Sequence, residues 1–246
     1  MSDCIQLTNK GLLQILQLCG STLKSLDIWN TNITGENLSK YKGTLPCLET
    51  LELISCEQLT DKVLLQLLQL CGSTLRSLDI GHAYITGENL FECKENLPGL
   101  EKLCTTKCKL THKGLLQILH LCGSSLRSLD ISETNITGEN LFEFKGTLPC
   151  LENLAIASCE QLIDKGLLQI LHLCGSTLIS LNLGWTNITG ENLSEYKGTL
   201  PCLKNLDMYS CRHLTDKRTA AHTSTLWKYT QIPGYISNNC NGSKSA

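Results

Sequence analysis

The stretch Leu18-Cys19-Gly20-Ser21-Thr22-Leu23-Lys24-Ser25-Leu26-Asp27-Ile28 decides the fold, because its pattern returns three more times along the chain. The string Leu-Cys-Gly-Ser-(Thr/Ser)-Leu begins at Leu18, Leu70, Leu121 and Leu173, at spacings of 52, 51 and 52 residues. Each interval divides again into two units of about 26 residues, each with a core close to Leu-x-x-Leu-x-Leu. The eight cores begin at Leu23, Leu48, Leu75, Leu100, Leu126, Leu151, Leu178 and Leu203. Self-similarity at this period predicts a repeat solenoid of eight units in four pairs.

Within each unit the spacing of apolar residues changes once, from the alternation of a strand to the spacing of a helix. The core alternates apolar and polar residues, which predicts a short strand with one buried face. A polar turn such as Ile33-Thr34-Gly35-Glu36-Asn37 follows in the first unit of a pair, with a short helix from about 36 to 42. The second unit of a pair predicts a longer helix, Val63 to Cys71 in the first example. One strand and one helix cannot bury their own apolar face, so the units must stack, with parallel strands on the concave side and helices on the convex side.

The ends of the long helix carry recognisable signals. Thr60 or Asp61 is expected to cap its amino terminus by accepting free backbone N–H groups. Gly72 is expected to end it in a left-handed conformation.

The pattern Leu-x-x-Leu-x-Leu-x-x-(Asn/Cys/Thr)-x-Leu resembles the leucine-rich repeat. Four cysteines just after the strand resemble its cysteine-containing subclass: Cys56, Cys108, Cys159 and Cys211. The resemblance implies an α/β horseshoe solenoid over residues 1–216, including a partial unit at the amino terminus. Residues 217–246 are expected to form a divergent carboxy-terminal cap and a disordered tail. The cysteine subclass occurs in F-box substrate adaptors, and the wording of the repeat also resembles repeat regions of invertebrate innate-immune receptors.

Composition narrows the classes of function. The 246 residues carry a formal charge of -2 and only 5% aromatic residues, so nothing in the charge points to nucleic acid or to an acidic membrane surface as a partner. Neither a secretory signal nor a membrane-spanning run is visible in the sequence. We therefore expect a cytoplasmic protein, or an extracellular one if the chain belongs to a secreted or membrane receptor.

The cysteines and asparagines have structural explanations. Most of the fifteen cysteines recur at fixed positions of the repeat, which favours columns of buried thiols over disulfides. Cys104, Cys108 and His112 are the nearest approach to a zinc site, and ordinary packing is the favoured interpretation because zinc requires four convergent ligands. Six Asn-x-(Ser/Thr) sequons are interpreted as products of duplication rather than as glycosylation sites. They lie at Asn32, Asn37, Asn135, Asn187, Asn192 and Asn241.

No catalytic motif is present in the sequence, so we predict that the chain is not an enzyme and needs no cofactor.

The remaining functional feature of the sequence is a variable surface. The turn Ile-Thr-Gly-Glu-Asn-Leu is identical in all four first-type units, whereas the two positions after the strand core and the outward strand position differ between units. Variation on one face over a constant scaffold predicts a recognition surface on the concave side. The predicted ligand-binding residues are Trp29, Asn30, Glu52, Ile54, His82, Thr106, Lys107, Glu133, Trp185, Asp207 and Tyr209.

Trp29, Trp185 and Tyr209 are the expected anchors, since exposed aromatic side chains supply large contact area at low entropic cost. The favoured function is non-enzymatic recognition of a protein or peptide, of the innate-immune receptor type. The alternative is the substrate-recognition part of an F-box-type ubiquitin ligase adaptor. A purely structural scaffold is a third hypothesis.

Overall fold

The computed structural model describes residues 6–93, 97–191 and 193–214. The cap and tail predicted for 217–246, and the sequon residues Asn192 and Asn241, lie outside this part. Eight short strands form one sheet, in which every strand is hydrogen-bonded in parallel to the strands of the units before and after it, in the order of the sequence. They are β1 Ser25–Asp27, β2 Thr50–Glu52, β3 Ser77–Asp79, β4 Lys102–Cys104, β5 Ser128–Asp130, β6 Asn153–Ala155, β7 Ser180–Asn182 and β8 Asn205–Asp207.

The two unit types differ in the helix that follows the strand. Second-type units carry an α-helix of 11 residues: α1 Asn9–Cys19, α2 Asp61–Cys71, α3 His112–Cys122 and α4 Asp164–Cys174. First-type units carry only a 3-10 turn: Leu38–Lys40, Glu88–Glu92, Glu139–Glu143 and Leu193–Glu195. The short helix predicted for 36–42 is therefore shorter and tighter than expected. The strand–turn–helix alternation and the sheet order are those of a leucine-rich-repeat solenoid, as predicted.

The core is built from identical positions stacked on one another. In β1 the central residue Leu26 is buried while its neighbours face the other side of the sheet, and Leu26 pairs in register with Leu51 of β2. The same register continues through all eight strands. Each leucine thus covers the next, which is why one unit could not be stable alone.

A column in which cysteine alternates with threonine, or with alanine at Ala83, follows the strands. The Cys56 thiol donates to the Ile28 carbonyl of the preceding unit at 3.1 Å, and the Thr31 hydroxyl donates to the same carbonyl at 2.8 Å. Cys108, Cys159 and Cys211 repeat this bond at 2.9 to 3.2 Å. The cysteines of the described part are free thiols, and in this column they satisfy buried carbonyls between units.

The two predictions for the ends of α2 were wrong, although at the equivalent position Thr8 and Thr111 do accept the N–H groups of Gly11 and Gly114 at the starts of α1 and α3. Gly72 lies in the right-handed region at φ -55. A Cβ on Gly72 would come within 2.6 Å of the Leu68 carbonyl oxygen and 2.9 Å of Leu97, so glycine is required by close packing and not by a left-handed turn. Thr60 makes no side-chain capping bond, and Asp61 is engaged elsewhere.

Asp61 joins two units. Its carboxylate accepts the backbone N–H groups of Thr86 and Gly87 at 2.9 and 3.0 Å and the Thr86 hydroxyl. These donors belong to the invariant Ile-Thr-Gly-Glu-Asn-Leu turn of the following unit. We call this contact between the first residue of a long helix and the next turn a joint, and the four joints begin at Asn9, Asp61, His112 and Asp164.

Candidate functional site: the open face of the sheet

One face of the sheet is not covered by the helices, and we call it the open face. It carries the polar residues that alternate with the buried leucines, together with the two residues after each strand core. The parallel hydrogen-bond ladder extends into this region, because the Asn30 N–H donates to the Ile54 carbonyl at 2.9 Å and the His82 N–H to the Thr106 carbonyl at 2.7 Å. The predicted binding residues are therefore held by a continuous ladder.

The second residue after each core has an unusual backbone. All eight adopt positive φ between 52° and 60°, and none is glycine. They are Asn30, Ser55, His82, Lys107, Glu133, Ser158, Trp185 and Ser210. A left-handed conformation is unfavourable for a residue with a Cβ, by about 1–2 kcal/mol. Asparagine tolerates it, but tryptophan, lysine and glutamate do not favour it.

Large aromatic side chains lie at the two ends of the open face. Trp29 is 39% exposed at the β1 end, and at the other end Trp185 and Tyr209 are 50% and 42% exposed. The rings of Trp185 and Tyr209 pack edge to face with centroids 5.6 Å apart, and the Arg212 guanidinium lies 5.8 Å from the Trp185 ring. The structure thus joins two predicted anchors into one cluster and leaves Trp29 apart from them.

The middle of the open face is polar, and many of its side chains are small. His82 is exposed, Thr106 is half-buried, and Lys107 Nζ lies 3.9 Å from Glu133 Oε2. The position directly after the core is small here: Gly81, Thr106, Ser132, Ala157 and Gly184. The remaining predicted residues lie on the outer strands, with Asn30, Glu52 and Ile54 on the β1–β2 side and Asp207 on β8.

Sequence reasoning missed a set of turn-forming residues on this face. In each first-type unit the last strand residue accepts the N–H two residues ahead at 2.9 Å: Asp27, Asp79, Asp130 and Asn182. Asp207 in β8 makes the same bond to the Tyr209 N–H. Because these residues hardly vary between units, a search for variable positions could not find them. The Asp-x-(Trp/Gly/Ser) spacing of an Asx turn was the available signal.

The possible zinc ligands are engaged separately. The Cys104 thiol lies 3.3 Å from the Thr106 hydroxyl, the Cys108 thiol donates to the Ile80 carbonyl, and His112 Nε2 lies 3.4 Å from the Thr137 hydroxyl. Burial raises the pKa of the Cys108 thiol to about 12, which disfavours the thiolate that zinc binds. Within residues 6–93, 97–191 and 193–214, no three His, Cys, Asp or Glu side chains gather as metal ligands.

Comparisons with known proteins give one distant relative. A Caenorhabditis elegans protein named "Putative RNA-binding protein EEED8.10" is 26% identical over 215 residues, which is 85% of this chain. The chain spans 28% of the length of that relative. No family model matches the sequence.

Two solved structures are similar at low identity. The yeast Rad7 chain from its complex with Elc1 is 19% identical, with 89% of this chain and 77% of that chain covered and a TM-score of 0.41. The functional domain of InlJ from Listeria monocytogenes, which includes a cysteine ladder, is 15% identical, with coverage of 84% and 60% and a TM-score of 0.30. Similarities this distant say nothing about what the chain binds.

None of the helices in the described ranges is long and apolar enough to cross a membrane.

Proposed function

We propose that this chain recognises another protein through the open face of its sheet. The observation that carries the proposal is the placement of Trp29, Trp185 and Tyr209, which are exposed on this face although the core is complete without them. Exposed tryptophan and tyrosine are the residues most often found at the energetic centre of protein interfaces.

The left-handed backbone positions support the same proposal. Glycine would relieve the unfavourable φ at Lys107, Glu133 and Trp185. Each of these positions nevertheless carries a large side chain, and its backbone is held in place by the hydrogen-bond ladder. Non-glycine residues held at positive φ are concentrated at functional sites in proteins. We infer that these side chains serve contacts with a ligand.

The size of the face fits a protein ligand. Eight strands at a spacing of about 4.8 Å give a length of roughly 34 Å. A face of that length accommodates the roughly 800 Å² per partner of a standard protein interface. The immune-receptor and adaptor hypotheses both use this face; they differ in the ligand, which is foreign in the first and a substrate for modification in the second.

The name of the nematode relative makes RNA the competing ligand. The carboxylates of Asp27, Glu52 and Asp79 lie on the open face, and they would repel a phosphate backbone. Protein recognition is therefore the function that the electrostatics favour. A filter-binding titration with single-stranded and double-stranded RNA tests the alternative directly.

The test of protein recognition is selection from a phage-displayed protein-fragment library. Binders selected on the wild-type chain are assayed against Trp29→Ala/Trp185→Ala/Tyr209→Ala and against Phe91→Ala/Phe142→Ala. The two phenylalanines are 58% and 57% exposed and lie on the 3-10 turns of the opposite layer, so they control for loss of aromatic surface.

We expect the triple variant to weaken most binders by about tenfold or more, with the control variant unchanged. Binders that tolerate the triple variant while the fold is intact, or that depend on the phenylalanines instead, would place recognition on another surface.

A further inference from the structure

Three carboxylates stand side by side at the amino-terminal end of the open face. Asp27 pairs in register with Glu52, and Glu52 pairs with Asp79, so neighbouring carboxylates stand on strands about 4.8 Å apart. Further along the sheet the same position holds Cys104, Ala155 and Asn182, which separate the remaining two acids. The continuous acidic row is therefore confined to β1–β3.

The ion pairs seen in the described ranges all use acids other than Asp27, Glu52 and Asp79. Arg76 pairs with Glu101 at 3.1 Å and Arg127 with Glu152 at 2.6 Å. Like charges opposite one another on neighbouring strands destabilise a sheet. The acidic row is consequently a stability cost that the chain retains.

The fold does not require these charges. Asp27 and Asp79 each use one carboxylate oxygen to accept the N–H two residues ahead at 2.9 Å. Asn182 makes the same bond to the Gly184 N–H, also at 2.9 Å, with a neutral amide. A neutral side chain therefore serves the turn equally well, and the negative charge has no part in it.

Apolar surface lies directly beside the acidic row. Trp29 and Ile54 follow Asp27 and Glu52 by two residues, on the same face. At the corresponding place on β3 the residue is Gly81, which has no side chain; a Cβ there would lie 3.1 Å from the Asp79 Oδ1. Carboxylates beside an exposed indole ring are the surroundings that bind lysine and arginine side chains, through charge-assisted hydrogen bonds and contact with the ring face.

We propose that the β1–β3 part of the open face docks a basic segment of the partner protein. Lysine or arginine side chains of that segment contact Asp27, Glu52 and Asp79, and Trp29 covers their aliphatic stems. The proposal rests on the proposed function of the open face and adds the charge of the ligand to it. The occupant follows from charge complementarity, because an acidic segment or a nucleic acid would be repelled by the same row.

The experiment uses a random peptide library displayed on phage and three forms of the chain. The test variant, Asp27→Asn/Glu52→Gln/Asp79→Asn, removes the charges and keeps the turn bonds, as Asn182 shows. The control variant, Glu36→Gln/Glu88→Gln/Glu139→Gln, removes the same number of charges from the exposed turns of the other layer.

We expect peptides that compete at Trp29 to be enriched in lysine and arginine. Their affinity is expected to fall by about tenfold in the test variant, to stay constant in the control variant, and to weaken with added salt. The test variant is also expected to melt at the same temperature as the wild type or higher, because repulsion is relieved.

Three results would overturn the proposal. Peptides that require Trp29 but show no excess of basic residues would refute the ligand charge while leaving open-face recognition intact. A test variant that melts earlier than the control would make the carboxylates structural. Peptides that never depend on Trp29, Trp185 or Tyr209 would refute the proposed function itself, and the docking proposal with it.

Discussion

The third and fourth joints of the solenoid connect equivalent units with different chemistry. At the fourth joint the Asp164 carboxylate accepts the backbone N–H groups of Thr189, Gly190 and Glu191 at 2.9 to 3.1 Å and also the Thr189 hydroxyl. At the third joint His112 replaces the aspartate. The leucine stacking is the same at both joints, so the two joints differ in their polar contacts.

The His112 imidazole reaches only the Thr137 hydroxyl, at 3.4 Å. The backbone N–H groups of Thr137 and Gly138 have no acceptor among the described residues, although their counterparts bind a side-chain oxygen at every other joint. At the first joint Asn9 accepts from Thr34 and Gly35 at 3.1 and 2.9 Å. The third joint therefore has the fewest hydrogen bonds of the four joints, and we infer that it is the weakest of them.

The largest expected effect is at the fourth joint. Asp164→Ala removes the carboxylate that accepts the buried Gly190 N–H and the part-buried Thr189 N–H, and we expect a loss of about 3 kcal/mol in the free energy of unfolding. His112→Ala is the matched change at the third joint and is expected to cost under about 1 kcal/mol. Urea denaturation of the two variants measures both. Equal losses would show that the carboxylate does not set the strength of a joint.

The converse change repairs the weak joint. His112→Asp is expected to raise the free energy of unfolding by about 1 kcal/mol, because the N–H groups of Thr137 and Gly138 gain a charged acceptor. His112→Asn controls for size without charge and mimics the joint at Asn9. If neither variant is more stable than the wild type, the missing acceptor does not limit the strength of the third joint.

A smaller difference between the joints is expected in how often the neighbouring helix opens locally and exposes its cysteine. Burial raises the pKa of the Cys71, Cys122 and Cys174 thiols to about 12, so at pH 8 almost no thiolate is present until the region opens. Cys122 ends the helix that begins at His112, and we expect it to react about fivefold faster with an alkylating agent. Mass spectrometry of labelled peptides gives the three rates. Similar rates would indicate that the joints open together.

The smallest effect is expected on the open face. Lys107 and Glu133 bridge the same two units as the third joint, but their side chains are 58% and 47% exposed. Such exposed pairs contribute little, and Glu133→Gln is expected to change the free energy of unfolding by less than about 0.5 kcal/mol. A larger loss would mean that this ion pair compensates for the missing carboxylate, which a Glu133→Gln/His112→Asp double variant would reveal.

Much of the fold was predictable because repetition amplifies a weak local signal. The strand pattern at Leu23-Lys24-Ser25-Leu26-Asp27-Ile28 is short, but eight copies fix the period and the order of the strands. The cysteine columns were predictable for the same reason. The open-face residues followed from strand alternation, and their role in binding stays a proposal.

Other features were not visible in the sequence. Asp61 is the first residue of α2, and its place in the sequence predicts a helix cap; only the packing of two units shows that it binds the following turn. Gly72 has the sequence position of a left-handed cap, but its backbone is right-handed, and the room for a side chain is taken by Leu68 and by Leu97 of the neighbouring unit. Both errors arose because local patterns were read without their partners one unit away.

The sequence by itself determined the period, the parallel sheet and the face that the leucines leave open, since these depend on apolar spacing within each unit. Tertiary structure alone decided which polar residues hold the units together, which of the four joints is weak, and that the anchors Trp185 and Tyr209 form one cluster while Trp29 stands beside an acidic row. The reason is physical: these contacts join residues about 25 apart in the chain, and stacking brings them together.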